Sequence, residues 1–489
     1  MENNKIILIH VGNFYEEKTR HKLSPPLGII YLGSYLVSHG YNIKLMDVRL
    51  KNKNEFFSEL QQELPNAILV GLSVTSPLIK EALIINKFIK TVSPSVNIVW
   101  GGFHATLFPE STLRNDYIDF VISGEGEIGL LGLVEYLLER RSISSIPNLI
   151  FKNGDAITKN RAESGEKLEN IGIPCYDLLD FSHYIQEDLF VDKMKIDMLT
   201  SRGCHARCAF CVNSIIQRSK WRAEPIPQTL RNLDTLIERY KIENIYFIDE
   251  DFFCDLDRVK NLAPELAKRG ITWNASCRAD YIRDGFINDS VLKMLYGCGC
   301  RGLRFGLESG SQRILDLLNK GITVEQSLYA IEKAVRYRIG ADVSFMMGIP
   351  DETLSDVLLT FDLILKIIKI TPIMSIIGPQ MFRPYPGSVL FDRCVKKGLR
   401  IPSSMNEWSN FFMQDFPVYN KENYPWLSEL NIFRKANLCR AYLDKHFLPL
   451  WLRCAIVKFH LRTRLRFIET DYRVYKFLRR IFKFTKDTL

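Results

Sequence analysis

The chain alternates short apolar runs with longer amphipathic segments, and it does so twice. In the first stretch KIILIHV, YNIKLMDV, AILVGLSV, VNIVWGG and DFVIS read as strands, rich in aliphatic and β-branched residues. Between them lie segments of helical spacing. SPPLGIIYLGSYLVSHG is opened by its prolines and closed by Gly40, and LIKEALIINKFIKTV is another. This alternation predicts a doubly wound, Rossmann-like parallel sheet over residues 1–145. Ligands of such sheets sit beyond the carboxyl ends of the strands. Those ends carry Asp47, the run Ser73-Val74-Thr75-Ser76, Gly101-Gly102-Phe103-His104 and Gly124-Glu125-Gly126-Glu127.

Residues 146–195 read as a connector. SIPNLIFKNGDAITKN predicts a small hairpin turning at Asn153-Gly154, and the remainder predicts an irregular linker. The alternation restarts over 196–420, with KIDMLTS, NIYFIDED, ITWNASCRAD, GLRFGLES, ADVSFMMGIP and MSIIGPQMFRP as strands. Six strand–helix repeats predict an open, partial (β/α)6 barrel with its chemistry at the strand carboxyl ends. The polar punctuation there is a cysteine triplet, then Asp249-Glu250-Asp251, Arg278 and Asp280, Glu308-Ser309, and Gly348-Ile349-Pro350. Residues 421–489 predict a helical, basic C-terminal region. The fold class is therefore α/β, in two domains with a helical tail.

Composition narrows the class. A chain of 489 residues exceeds one ordinary core, and 46% hydrophobic with 25% charged residues is a globular balance. No run of about 18 apolar residues predicts a spanning helix. The start, MENNKIILIHVGNF, lacks the basic n-region of an export signal, and 11 Cys scattered over the chain suit a reducing compartment. A cytoplasmic protein is expected. The net charge of +9 is uneven: from Phe447 to Leu489 there are 11 Lys/Arg and 3 Asp/Glu, leaving about +1 for the rest. Trp451, Ile456, Phe459, Phe467, Phe477 and Phe482 intersperse those cations. Three readings of the tail stand: a packed helical subdomain with a solvated basic face, peripheral contact with an anionic membrane surface, and stacking on single-stranded nucleic acid. Nucleic acid is the least favoured.

The densest chemistry is Cys204-His205-Ala206-Arg207-Cys208-Ala209-Phe210-Cys211. Structural zinc takes four closed ligands and a fully ligated cubane takes four Cys. A C-x3-C-x2-C triplet with no nearby fourth thiol instead suits a [4Fe–4S] cluster with one iron open. A zinc-dependent nucleic-acid-binding module is the alternative, but it lacks a fourth ligand and leaves the strand-end pattern unexplained. Gly124 to Gly129 formally matches G-x-G-x-x-G, yet it follows the last strand of its domain and lacks the ribose-binding acid. Cys298-Gly299-Cys300 has no partner pair and reads as structural.

These motifs carry two family resemblances. SPPLGIIYLGSYLVSHGYNIKLMDV, VGLSVTSP, VWGGFHATLFPE and DFVISGEGE resemble the cobalamin-binding domain that precedes many radical S-adenosylmethionine (SAM) enzymes. The resemblance implies that Ser73, Thr75, Ser76, Gly101, Gly102 and Gly124 cradle the corrinoid. Small residues suit the close approach of a flat macrocycle. The D-x-H-x-x-G signature is absent, since Val48 and Arg49 follow Asp47, so no axial His is expected from it. His104 is expected to be a polar loop residue near the nucleotide tail.

The second stretch resembles the radical SAM core. That implies Cys204, Cys208 and Cys211 as cluster ligands central to catalysis, with SAM chelating the fourth iron. It further implies Phe210 beside the adenine, Asp249, Glu250 and Asp251 at the methionyl amine, and Glu308 and Ser309 at the ribose or carboxylate. Gly348, Ile349 and Pro350 would meet the adenine, and RPYPGSVLFD matches the segment after the sixth strand. The activity implied is reductive cleavage of SAM to a 5′-deoxyadenosyl radical. The commonest reaction of the class is methyl transfer from cobalamin to an unactivated carbon or phosphorus of a small-molecule or lipid substrate. A one-electron reductant such as flavodoxin or ferredoxin is the implied partner. Oxidative cyclisation or rearrangement stays open, as does a first domain that no longer holds cobalamin.

Overall fold

The computed structural model describes residues 4–15, 23–188, 193–216, 220–371, 376–411, 424–443 and 449–466, with residues 191, 422, 468, 470 and 473. Strands β1 (Lys5–His10), β2 (Asn42–Asp47), β3 (Ala67–Ser73), β4 (Asn97–Gly101), β5 (Phe120–Ile122), β6 (Leu149–Asn153) and β7 (Ala156–Lys159) form one sheet, ordered β2-β1-β3-β4-β5-β6-β7. The first five run parallel. Their near-continuous apolar runs follow from burial on both faces. Along β1, Ile6 and Leu8 join one core while Ile7 and Ile9 join the other.

The hairpin expected in the connector is β6–β7, and it extends this first sheet antiparallel to β5. It turns at Gly154-Asp155 rather than Asn153-Gly154, because Asn153 pairs with Ala156 as the last rung, and Gly154 takes φ +62°.

The second sheet takes β8 (Gln186–Asp188), β9 (Lys193–Met198), β12 (Asn244–Phe247), β13 (Thr272–Cys277), β14 (Cys300–Glu308), β15 (Gly340–Met347) and β16 (Ile376–Met381). Six of these are parallel in sequence order, and β8 caps the β9 edge antiparallel. The expected partial barrel is present. Its strands alternate between wholly buried residues, such as Ile245, Ala275, Leu303 and Val343, and half-buried ones such as Tyr246, Ser276, Arg304 and Asp342. The first set packs with the helices in the core and the second lines the opposite, concave face. A two-rung ribbon of β10 (Ser201–Arg202) and β11 (Arg222–Ala223) brackets the cysteine loop.

Two further segments tie the domains together. One core runs continuously from helix Leu27–Ser38 of the first domain into the second sheet. The other core of the first domain is closed by Met405 and Trp408, on helix Met405–Phe411 that follows the barrel. Trp408 is fully buried against Phe108 and His104, with ring centroids at 4.3 and 5.3 Å. Helices Leu430–Leu443 and Leu450–Arg462 bear out the helical C-terminal region. Phe467, Phe477 and Phe482 lie outside the described residues.

Candidate active site

The cysteine loop leaves β9 through Leu199 and Thr200 and is pinned by its backbone. Ala209 N–H donates to Leu318 O at 2.8 Å, Leu390 N–H donates to Ala209 O at 3.1 Å, and Asn319 Nδ2 donates to Arg207 O at 2.8 Å. Cys208 is buried, while Cys204 and Cys211 are half-buried. Burial, then the nearby Asp251 carboxylate, pushes the Cys204 thiol up to about 12, and burial raises Cys211 as well. A bound cation would favour their thiolate forms. Among the described residues no three His, Cys, Asp or Glu side chains converge on one ion position. A multi-iron centre, in which each thiolate takes a different iron, accepts that spread.

The chain supplies a cation of its own beside the loop. Lys320, its side chain 11% exposed, places Nζ 2.9 Å from Glu308 Oε1 and 5.8 Å from the centre of the Phe210 ring. Burial opposes its charge, but Glu308 holds its pKa above the ordinary lysine value. Arg278 reaches Lys320 O at 2.8 Å and Asp280 at 3.0 Å. Lys320 sits in a loop with no motif around it, so nothing in the sequence singles it out. Its partner Glu308 is strained at φ +63°, where a bulge ends β14.

The acids after β12 divide by role. Asp249 is 1% exposed and accepts from Thr200 N–H at 3.2 Å, from Thr200 Oγ1 at 2.9 Å and from the Ser201 hydroxyl. Its oxygens anchor the start of the cysteine loop. Asp251 accepts from Tyr281 Oη at 2.9 Å and lies 3.5 Å from Cys204 Sγ. Glu250 is exposed and accepts from Gly203 N–H at 3.2 Å. Ser309 is likewise turned away: it is fully buried and pairs with Thr360 Oγ1 at 3.1 Å, holding helix Leu354–Ile370.

Beyond β15 the chain turns at Gly348, φ +81°, where a Cβ would lie 2.6 Å from Met381 Cε. Glu352 holds that turn from within, accepting from Gly348 N–H at 2.5 Å and Ile349 N–H at 3.2 Å. Trp426 Nε1 donates to Gly348 O at 2.8 Å from the far side. Ile349 and Pro350 are buried, and Ile349 O accepts from Glu352 N–H at 3.0 Å, so the turn's own bonds occupy the backbone of Gly348 and Ile349. Neither Glu352 nor Trp426 was singled out in the sequence. For Glu352 the available signal was its spacing, four residues after a strand-ending glycine.

In the first domain a cleft of about 220 Å³ opens beyond β1, β3, β4 and β5. Ser73, Gly101, Gly102 and Gly124 line it, together with Gly28 and Gly71, which the sequence did not single out. A Cβ on Gly28 or Gly124 would meet nothing within 4 Å, so the floor stays open to a flat ligand. Thr75 and Ser76 do not line it. Ser76 Oγ lies 3.0 Å from His104 Nδ1, on the far side of the loop. His104 is fully buried under Trp408, and burial lowers its pKa to about 4, so it is a neutral packing residue rather than a loop residue near a ligand. Glu125 and Glu127, at the start of helix Glu127–Leu137, put carboxylates where a dinucleotide would need its phosphates.

Cleft and cysteine loop meet at Arg202, which lines the cleft two residues before Cys204. It pairs with Glu125 at 3.1 Å and Glu127 at 2.9 Å and stacks over Tyr31 at 5.4 Å. Below it, buried Glu224 accepts from Tyr31 Oη at 3.2 Å and Thr229 Oγ1 at 3.3 Å, and burial pushes its carboxyl up to about 7.

Comparison with known proteins agrees with this geometry. Two family models match, the radical SAM superfamily over residues 198–364 and the B12 binding domain over residues 18–134. An uncharacterized methyltransferase of Pyrococcus horikoshii is 31% identical over 426 residues, covering 84% of this chain and 86% of that protein. An anaerobic magnesium-protoporphyrin IX monomethyl ester cyclase of Rubrivivax gelatinosus is 25% identical, covering 67% of this chain and 60% of its own length. The solved OxsB, with aqua-cobalamin and SAM, superposes with a TM-score of 0.71 at 18% identity, covering 95% of this chain and 71% of that one. TsrM of Kitasatospora setae, with cobalamin and a [4Fe–4S] cluster, gives 0.66 at 15%, covering 97% and 100%. At such identities the likeness is one of fold.

Fold and site define the class: an iron–sulfur enzyme whose cluster loop faces a corrinoid-binding module. The chain belongs to the radical SAM family with an N-terminal B12-binding domain. Its cofactors are SAM, a [4Fe–4S] cluster and cobalamin, and both the three-thiol loop and the small-residue cleft fit them.

Proposed function

We propose that the chain is a cobalamin-dependent methyltransferase acting on an unactivated carbon or a phosphorus of a small-molecule or lipid substrate. The observation that carries this reading is Arg202, which stands at the root of the cysteine loop and pairs with Glu125 and Glu127 at the first cleft. Two reacting centres served by one side chain can act on one substrate. When bound, the cluster and SAM supply a 5′-deoxyadenosyl radical, and cobalamin supplies the methyl group.

The protein's own part is placement and charge. Cys204, Cys208 and Cys211 hold three irons, and Phe210 flanks the adenine. The Lys320–Glu308 pair meets the methionyl carboxylate and ribose, and Asp251 with Glu250 faces the amine. The Gly348–Pro350 turn packs against the adenine. Ser73, Gly101, Gly102 and Gly124 floor the corrin cleft. Tyr246, Arg304 and Asp342, on the concave barrel face, receive the substrate. A reductant of the flavodoxin or ferredoxin type delivers its electron through the half-exposed side of the loop, at Cys204 and Cys211.

The test is anaerobic turnover of the reconstituted full chain with candidate substrates. Methyl transfer yields 5′-deoxyadenosine, S-adenosylhomocysteine and a product carrying the SAM methyl label. Deoxyadenosine with an unlabelled, cyclised or rearranged product would replace this reading with cyclisation or rearrangement, the first being the activity for which the Rubrivivax relative is named. Cys208→Ala is expected to lose iron, sulfide and all deoxyadenosine formation while keeping cobalamin binding. Retained deoxyadenosine formation would contradict the cluster assignment.

A further inference from the structure

Helix Leu450–Arg462 packs against helix Leu354–Ile370, and the groove between them is strongly cationic. Lys366, Lys369, Lys458 and Arg462 line about 270 Å³ of it, with Leu365 and Leu461 beside them and Asp362 as the one acid among the described residues there. No carboxylate among the described residues lies within ion-pair distance of any of the four. Like charges gathered this way repel one another unless an anion joins them.

The outward stripe of the second helix continues the pattern. Residues 451, 455, 458, 459 and 462 are exposed, at the three- and four-residue steps of one helical face, while Val457, His460 and Leu461 are buried on the other; Arg466, also exposed, follows just beyond the helix. That stripe presents Trp451, 71% exposed, and Phe459, 50% exposed, among Lys458 and Arg462. Leu359, also exposed, sits on the neighbouring helix. Large apolar rings held in water beside unpaired cations are the composition of a helix that lies in a membrane interface. No helix among the described residues is long and apolar enough to cross a membrane, so the contact is one of surface.

We propose that this face docks on an anionic membrane surface. Lys366, Lys369, Lys458, Arg462 and Arg466 meet lipid phosphates, and Trp451 and Phe459 seat at the headgroup–acyl boundary. Charge complementarity selects the occupant, and ring spacing selects lipid over nucleic acid. Trp451 and Phe459 stand about 12 Å apart along the helix, too far for stacking on successive bases.

The test is co-sedimentation of the full chain with phosphatidylcholine vesicles, with and without phosphatidylglycerol. Binding is expected only to the anionic vesicles and is expected to weaken with salt. A basic residue near such a surface is worth about a five-fold change in partition, so Lys458→Gln/Arg462→Gln should weaken it about 30-fold. Trp451→Ser/Phe459→Ser should weaken it while leaving the salt dependence in place. Unchanged secondary structure and melting temperature would confirm that each variant is folded. Three results would overturn the proposal: no binding to anionic vesicles, equal binding by folded variants, or tighter binding to single-stranded oligothymidylate that the same variants abolish.

Discussion

Glu224 shows how one side chain reports the joint between the domains. Burial raises its carboxyl to about 7, from an unfolded value near the ordinary 4.5. A raised acid is protonated in the folded state while the unfolded chain ionises, so its contribution is fully present below about pH 4.5 and is lost as pH rises through 7. Apo-protein unfolded by denaturant is therefore expected to lose up to about 3 kcal/mol between pH 5 and 8 relative to Glu224→Gln. Parallel profiles for the two proteins would show that Glu224 ionises normally. None of this was legible in the sequence. Glu224 follows the β10–β11 ribbon, two strands too short to show periodicity, and its partner Tyr31 is nearly 200 residues away.

Among the elements, the β15 turn illustrates what sequence does and does not carry. Its strand was readable because alternate residues pack on helices, and Gly348 was readable as a strand-end glycine. What holds the turn is the Glu352 carboxylate on two buried N–H groups and Trp426 from beyond the barrel. Glu352→Ala leaves both donors unpaired, so a loss of about 2–4 kcal/mol is expected in the unfolding free energy, with weaker SAM binding by titration calorimetry. Glu352→Gln, which keeps an acceptor oxygen, should recover much of both. The same limit explains Asp249 and Ser309. Their positions at strand ends were correctly placed, but which way a strand-end side chain turns depends on neighbours such as Thr200 and Thr360. The β6–β7 hairpin was visible as a hairpin, whereas its docking on β5 was not, because nothing local selects a partner edge.

At the scale of the molecule, the two domains share one core and are further bound by helix Met405–Phe411, which returns from the barrel to seal the first. Trp408→Ala opens a cavity in the N-terminal domain although the residue lies beyond the barrel. A loss of about 3–5 kcal/mol is expected, with new protease cuts mapping to the first domain. Cuts confined to the C-terminal region would contradict the sealing role. Trp408→Phe should retain most of the stability.

That seal also has a consequence for synthesis. About 290 residues separate Leu113, the last core residue of helix Pro109–Leu113, from Met405. At the usual pace of translation, ribosomes need roughly 15–60 s to cross that interval. From the emergence of β7 (Ala156–Lys159) onward the first domain has all its strands but not its last wall. Ala105 and Val74, buried in the finished protein, belong to the core that still awaits Trp408. Nascent chains are thus expected to hold a sticky, half-closed module for many seconds, a natural client for a chaperone.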